Sequence, residues 1–266
     1  VPTVEVRGIR LYFETDGHGP WLVLLNGIFQ KTTHWTPLLG FLEGYRVLRY
    51  DMRGQGNSLA PPGIYTPEVH AADLRALLEA LGIETYSVLG LSNGGVVAQV
   101  FASGRPSGLQ RLILAATLSR LDPLVRAKVE SWRAALTVGG TELRLKVALP
   151  WLYGRRFLAQ NPGLLSEEAL AEARAMAPTE AAQERLLDGF LTLGDLTPAL
   201  AKVEVPTLVL SGEADLLFPP SYGRETASAI RGARFLVLEG LGHLAPLEDP
   251  QRFFGAVREF LEADHA

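Results

Sequence analysis

Ser92 stands in Gly90-Leu91-Ser92-Asn93-Gly94-Gly95, a G-x-S-x-G pattern with small residues on both sides of a hydroxyl. The apolar run Tyr86 to Leu89 precedes it and a helix-compatible stretch from Asn93 follows, so the pattern falls on a strand-to-helix turn. A turn this tight strains the serine backbone, lifts the hydroxyl above the sheet edge and admits only small neighbours. The helix N-terminus beyond it supplies positive potential and a free N–H, that of Asn93, for a developing oxyanion. A serine hydroxyl is a weak nucleophile at neutral pH and needs a base. Of the five histidines, His243 is placed for that role, because Leu238-Glu239-Gly240-Leu241-Gly242-His243 puts it in a glycine-rich loop after the last strand, at the edge that carries Ser92. His34, in the loop after the first parallel strand, is a second candidate to line a pocket. His18 in a turn, His70 at the opening of a helix and His265 in the tail read as solvated.

An imidazole acting as base is oriented by a carboxylate, which fixes its tautomer and stabilises the imidazolium. Asp215, in Ser211-Gly212-Glu213-Ala214-Asp215 after the strand Thr207 to Leu210, is the first candidate. Glu213 in the same turn and Asp122 after the preceding strand compete with it. The order Ser92, Asp215, His243 is a Ser…Asp…His order known from strand–turn–helix serine sites. A second oxyanion donor is expected from Leu24-Leu25-Asn26-Gly27-Ile28-Phe29, with the Ile28 N–H first and Phe29 next.

Positioning these residues takes a sheet whose strands all end at one edge. Thr3 to Thr15 alternates apolar and polar around Gly8 and predicts an antiparallel hairpin. Short apolar runs at Trp21–Leu25, Arg46–Tyr50, Tyr86–Leu89, Arg111–Ala115, Thr207–Leu210 and Arg234–Leu238 are of the buried-strand type. Helical stretches alternate with them at Thr66–Leu81, Asn93–Ser103, Ser221–Ile230 and Pro250–Ala263. This order calls for a mostly parallel sheet covered by helices on both faces. The alternation fails between about Leu121 and Leu200, where helical periodicity runs on without a convincing strand. Residues 1–120 and 201–266 are therefore expected to form the core domain and 121–200 an inserted helical cap. Breakers at Gly139-Gly140, Pro150, Gly154, Pro162-Gly163 and Pro178 divide the cap into about four helices. Trp132, Leu136, Leu149, Trp151, Leu152, Tyr153 and Phe157 could form an apolar lid or pack the cap's own core.

Composition narrows the chemistry. With 266 residues, 47% hydrophobic and 20% charged, the chain is of the globular class. A formal net charge of -4 without a cluster of Lys and Arg argues against nucleic acid as partner. The absence of cysteine removes disulfides, thiolate-bound metals and a Cys nucleophile, and the expected site needs neither metal nor cofactor. No run approaches the roughly 18 apolar residues of a membrane span, and no signal peptide is visible, so a cytoplasmic location away from membranes is expected.

With these motifs placed, the chain resembles the α/β-hydrolase superfamily over nearly its whole length. Asp51-Met52-Arg53-Gly54-Gln55-Gly56-Asn57-Ser58 is similar to the family's D-x-R-G-x-G-x-S loop, and Val205 to Gly212 to its P-T-L-V-x-x-G strand. Asp51 and Arg53 look like a loop-anchoring pair. The resemblance implies an α/β-hydrolase fold, with a mostly parallel eight-stranded sheet, helices on both faces and a cap. Ile64-Tyr65-Thr66, Asp73-Leu74 and Leu81-Gly82-Ile83 are similar to the branch holding 3-oxoadipate enol-lactonases, small carboxylesterases and C–C hydrolases. Asn26 stands where the family usually has a loop-anchoring His, and Asn93 where enol-lactonases usually have Met. The expected activity is hydrolysis of a small carboxylic ester or lactone through an acyl-enzyme on Ser92, with a small-molecule acyl substrate. A C–C hydrolase, a perhydrolase and a non-catalytic small-molecule sensor are the alternatives.

Overall fold

In the computed structural model, which describes residues 2–263, eight strands form one sheet in the order β1-β2-β4-β3-β5-β6-β7-β8. Strands β1 (Thr3–Val6) and β2 (Ile9–Gly17) make the predicted antiparallel hairpin, and β2 pairs antiparallel with β4 (Arg46–Tyr50). From β4 onward the pairing is parallel through β3 (Trp21–Leu25), β5 (Tyr86–Leu91), β6 (Leu109–Ala115), β7 (Thr207–Gly212) and β8 (Arg234–Leu238). The central strands are buried on both faces, which is why they read as short continuous apolar runs rather than alternating ones.

Two cores flank the sheet. On one face Val23, Leu48, Val88, Leu112 and Val209 pack beneath Leu74, Leu77 and Leu78 of α1 (Pro67–Ala80) and Val97, Ala98 and Phe101 of α2 (Asn93–Ser103). On the other, Leu22, Leu24, Leu89, Ile113 and Leu208 meet Trp35, Leu38 and the Phe253, Phe254, Val257 and Phe260 face of α10 (Pro250–Glu262). Helix α1 starts where Thr66 caps it, its hydroxyl accepting from the Val69 N–H, with Pro67 in the first turn.

Between β6 and β7 the chain is helical: α3 (Pro123–Leu152), α4 (Arg155–Gln160), α5 (Glu167–Met176), α6 (Glu180–Leu191) and α7 (Thr197–Leu200). The breakers act unequally. Gly139 and Gly140 kink α3 with non-helical backbone without ending it, and Pro150 lies inside its last turn; with the short α7 beyond Pro178, five helices stand where about four are expected. A third apolar cluster joins this segment to α2 and the loop after β7, with Val129, Trp132, Leu136, Leu187 and Phe190 against Val96, Leu217 and Phe218. After β7 come α8 (Pro220–Ser228) and, after β8, the short α9 (Ala245–Glu248) before α10. Among the described residues no helix is long and apolar enough to cross a membrane.

Two expectations fail at side-chain level. His70 is not solvated: it lies in α1 at 1% exposure, edge-on to Tyr65, and burial pushes its pKa down to about 4. Asp51 and Arg53 do not pair with each other. Asp51 accepts the N–H groups of Thr32 (2.6 Å) and Asn57 (2.8 Å), while Arg53 makes two 2.8 Å bonds to the buried Asp73, which Arg7 also meets at 2.9 Å. Helical spacing put Asp73 on the buried face of α1, and a buried carboxylate is stable there only with cations against it.

Candidate active site

The loop from β5 to α2 carries Ser92 at φ +56°, the strained conformation expected of the turn. Its tightness shows in what a side chain would meet: a Cβ on Gly94 would come within 2.4 Å of the Leu25 carbonyl oxygen, and one on Gly90 within 2.4 Å of that of Gly94. The Ser92 N–H donates to Ala115 O at 2.8 Å and its carbonyl accepts from the Thr117 hydroxyl at 2.9 Å, so the turn is held from strand β6.

Loops after β7 and β8 complete the site. The Ser92 hydroxyl oxygen lies 2.9 Å from His243 Nε2, and His243 Nδ1 lies 2.8 Å from Asp215 Oδ2. The second carboxylate oxygen of Asp215 accepts the backbone N–H groups of Leu217 (2.9 Å) and Phe218 (2.8 Å). Ser92, His243 and Asp215 are 6%, 2% and 1% exposed, so the row is shielded from water apart from its serine end. The Phe218 ring stands edge-on to the imidazole at 5.1 Å. Gly212 lets the two loops touch, since a Cβ there would lie 2.3 Å from the carbonyl oxygens of both Leu241 and Gly242, and Ala214 N–H donates to Leu241 O at 2.8 Å.

The competing acids are engaged elsewhere. Asp122 caps α3 through the Val125 N–H (2.8 Å) and accepts the Tyr222 hydroxyl (2.7 Å), and Glu213 accepts from the Gly240 N–H (2.9 Å). Asn26 takes over loop anchoring: fully buried, it donates to Tyr50 O at 3.0 Å and accepts from the Trp35 indole at 2.6 Å. Gly27 N–H is held by the Gln30 side chain at 2.9 Å, and Phe29 adopts φ +67°. The Ile28 and Asn93 N–H groups have no acceptor among the described residues, and both residues line the cavity in front of Ser92.

That cavity holds about 200 Å³. Its apolar walls include Ile28 and Phe29 of the loop after β3, Leu217, Phe218 and Leu247 of the stretches after β7 and β8, and Val129, Trp132, Leu152, Tyr153, Leu187 and Phe190 of the segment between β6 and β7. Of the expected lid residues, Trp132, Leu152 and Tyr153 reach it. Leu136 packs within the third cluster, Trp151 lies tilted against Trp132 and Phe157 stacks on Tyr153. His34 lines the cavity with its pKa held down by burial, and its Nδ1 lies 3.2 Å from the Lys31 N–H. His18 is exposed, and His265 lies outside the described residues.

Sequence reading missed Glu248 and Arg144. Glu248 accepts the Gly242 N–H with one oxygen and the Gly154 N–H with the other, both at 2.9 Å, and Leu244 N–H donates to Leu152 O at 3.0 Å. These bonds tie the His243 loop to the end of α3. Burial raises the Glu248 pKa and the two N–H groups oppose that rise. The available signal was an acid ending the otherwise apolar Leu244-Ala245-Pro246-Leu247 stretch. Arg144 had no local signal, because its partners come from distant segments.

A hydroxyl, an imidazole and a carboxylate in this row can deliver an alkoxide-like oxygen to an electrophile bound in the cavity. Among the described residues no group of His, Asp and Glu could hold a metal ion. Comparison with known proteins agrees with the fold. The family model described as alpha/beta hydrolase fold matches residues 20–250. RutD of Pseudomonas savastanoi pv. phaseolicola, a candidate carbamate hydrolase, is 30% identical over 246 residues, 92% of this chain and 94% of that protein. The enol-lactonase from Burkholderia xenovorans superposes with a TM-score of 0.87 at 30% identity, covering 98% of this chain and 100% of the other. A thermophilic esterase from Thermogutta terrifontis superposes with a TM-score of 0.86 at 31% identity, over 98% of each chain. A match spanning most of the sequence, the eight-stranded sheet with its single antiparallel end and these relatives together establish that the chain belongs to the alpha/beta hydrolase fold family and is a hydrolase.

Proposed function

We propose that the chain is a serine hydrolase of small carboxylic esters or lactones, working through an acyl-enzyme on Ser92. The observation that carries this reading is the unbroken row from Ser92 through His243 to Asp215, with contacts of 2.9 and 2.8 Å. In it, Ser92 Oγ attacks the carbonyl carbon while His243 Nε2 takes its proton. Asp215 accepts from His243 Nδ1 and stabilises the imidazolium. The N–H groups of Ile28 and Asn93 hold the oxyanion, in a cavity where little water weakens them. As the tetrahedral species collapses, the leaving alkoxide takes the proton from His243 and the acyl group stays on Ser92. Water, deprotonated by His243, then releases the acid and restores the hydroxyl.

Residues 121–200 act as a cap over the core formed by 1–120 and 201–266, and selectivity rests with the cap's cavity wall. Similarity to an enol-lactonase and an esterase supports an ester-type carbonyl as the bond cleaved. No step needs a metal or cofactor. The test is hydrolysis of p-nitrophenyl acetate and of a small lactone by the wild type and by Ser92→Ala. Loss of about 10⁴-fold or more in kcat/KM for the variant is expected, and an unchanged rate contradicts the reading.

A further inference from the structure

Arg144 stands apart from Arg49, the other buried arginine among the described residues, and from the partly buried Arg53. Arg49, also 4% exposed, is neutralised by Glu14 and by Asp16 and donates to Thr32 O and the Thr36 hydroxyl. Arg53 is neutralised by Asp73. Arg144 has no carboxylate within ion-pair distance among the described residues. Its Nε donates to Gln183 Oε1 of α6 at 2.8 Å, and its guanidinium lies over the Phe29 ring at 4.3 Å. Its Nη1 and Nη2 have no acceptor among the described residues. The side chain lines the cavity in front of Ser92.

Among the described residues no Asp or Glu lines that cavity, and neither does another Lys or Arg. Its other titratable wall groups are His34, Tyr153 and His243, and burial keeps His34 neutral. Among the described residues the cavity thus contains one lasting charge, positive, set among mostly apolar side chains. Burial lowers the Arg144 pKa to about 10, so the charge persists at neutral pH. An unpaired buried charge is costly, and proteins keep one where something else brings the counter-charge. Phe29 and Gln183 occupy one face and Nε, leaving the paired Nη donors, which suit the two oxygens of a carboxylate. A doubly charged phosphate would lack a second cation here.

We infer that the substrate is an ester or lactone bearing a free carboxylate, which Arg144 binds inside the cavity. This rests on the reading of Ser92 as nucleophile. The experiment compares monomethyl succinate, glutarate and adipate with methyl esters of the same lengths that end in an isopropyl group, a neutral mimic of the carboxylate's shape. Values of kcat/KM are measured for the wild type, Arg144→Gln and Arg144→Lys. In parallel, calorimetry follows binding of both series to Ser92→Ala and to Ser92→Ala/Arg144→Gln. At the best chain length the wild type should favour the charged ester by at least about tenfold. That ratio should fall by at least about tenfold in Arg144→Gln and be partly kept in Arg144→Lys. The calorimetric preference should fall in the same way. An Arg144→Gln variant that slows both series alike has lost packing on Phe29 and Gln183 only, which overturns the inference. So does equal or weaker binding of the charged esters by Ser92→Ala. If Ser92→Ala still hydrolyses the esters, the Ser92 reading fails, while the calorimetric preference stands or falls by itself.

Discussion

The two walls of the cavity are built on different principles. On the core side, Ser92, His243 and Asp215 are held by backbone: a strained turn, close approaches permitted by glycine, and N–H groups aimed at the carboxylates of Asp215 and Glu248. On the helical side, the wall is side chains on α3, α5 and α6, mostly apolar, with Arg144 as the one fixed charge among the described residues. Backbone geometry is insensitive to most single substitutions but intolerant of change at the few positions that make it. A side-chain wall changes with every substitution, each by a little. The contrast predicts that core-side variants lose the chemical step, whereas helical-side variants shift which substrate is favoured.

The sharpest way to break this comparison is Asp215→Asn beside Asp122→Asn. Losing the acceptor at His243 Nδ1 should lower kcat by about 10⁴-fold. Asp122→Asn, which keeps an acceptor for the Val125 N–H that caps α3 but loses the one for the Tyr222 hydroxyl, should lower it by no more than about threefold and cost about 1 kcal/mol of stability. Equal kinetic losses in the two variants would mean that the His243 partner is misassigned.

Next in size is Glu248→Gln. The amide offers one acceptor where two N–H groups need one each, so the His243 loop should loosen and kcat should fall by about ten- to a hundredfold. Glu248 touches no reacting atom in this scheme and acts through the loop. Its variant should therefore change kcat more than KM for a neutral ester, whereas a purely structural loss would lower the melting temperature with kcat per folded molecule intact.

On the helical side, Leu187→Ala and Phe190→Ala should enlarge the cavity and raise the preference for longer acyl chains by about three- to tenfold, with kcat for acetate esters changing by less than about threefold. A collapse of kcat for acetate would erase the distinction between the walls.

His70 tests a position remote from both. Its folded pKa of about 4 lies below the ordinary value of 6.5, so the unfolded chain binds the extra proton between those pH values. Its contribution to stability is therefore complete above pH 6.5 and falls as the pH drops toward 4, by roughly 3 kcal/mol in all. Urea unfolding of wild type and His70→Leu at pH 7.5 and 5 should show a smaller difference between the two pH values in the variant.

The same division explains what could be read from sequence. The Ser92 turn, the three loops at one sheet edge and the order of strands follow from local patterns: short buried runs, glycines around a serine, a Pro or Thr at a helix start. The eight strands and the helices of the sheet layers fall within a few residues of the expected positions. Choices among charged groups were not legible, because they depend on which distant segment arrives. Asp51 looked like a partner for Arg53 two residues away, yet α1 brings Asp73 against Arg53 instead. His70 looked solvated because it opens a helix, but Tyr65 and the helix's own buried face cover it. Arg144 meets Phe29 and Gln183 from segments more than a hundred and nearly forty positions away, a meeting no spacing encodes.

The central claim is a covalent acyl group on Ser92, and trapping it is the most direct test. Wild-type protein mixed with p-nitrophenyl acetate and quenched in acid within the first turnover should yield, after proteolysis and mass spectrometry, the peptide spanning Gly90 to Gly95 carrying one acetyl group. The account predicts that adduct on Ser92, formed with a stoichiometric burst of nitrophenol and absent from Ser92→Ala. Hydrolysis at full rate with no acetyl group on Ser92 at any time in the turnover would contradict it.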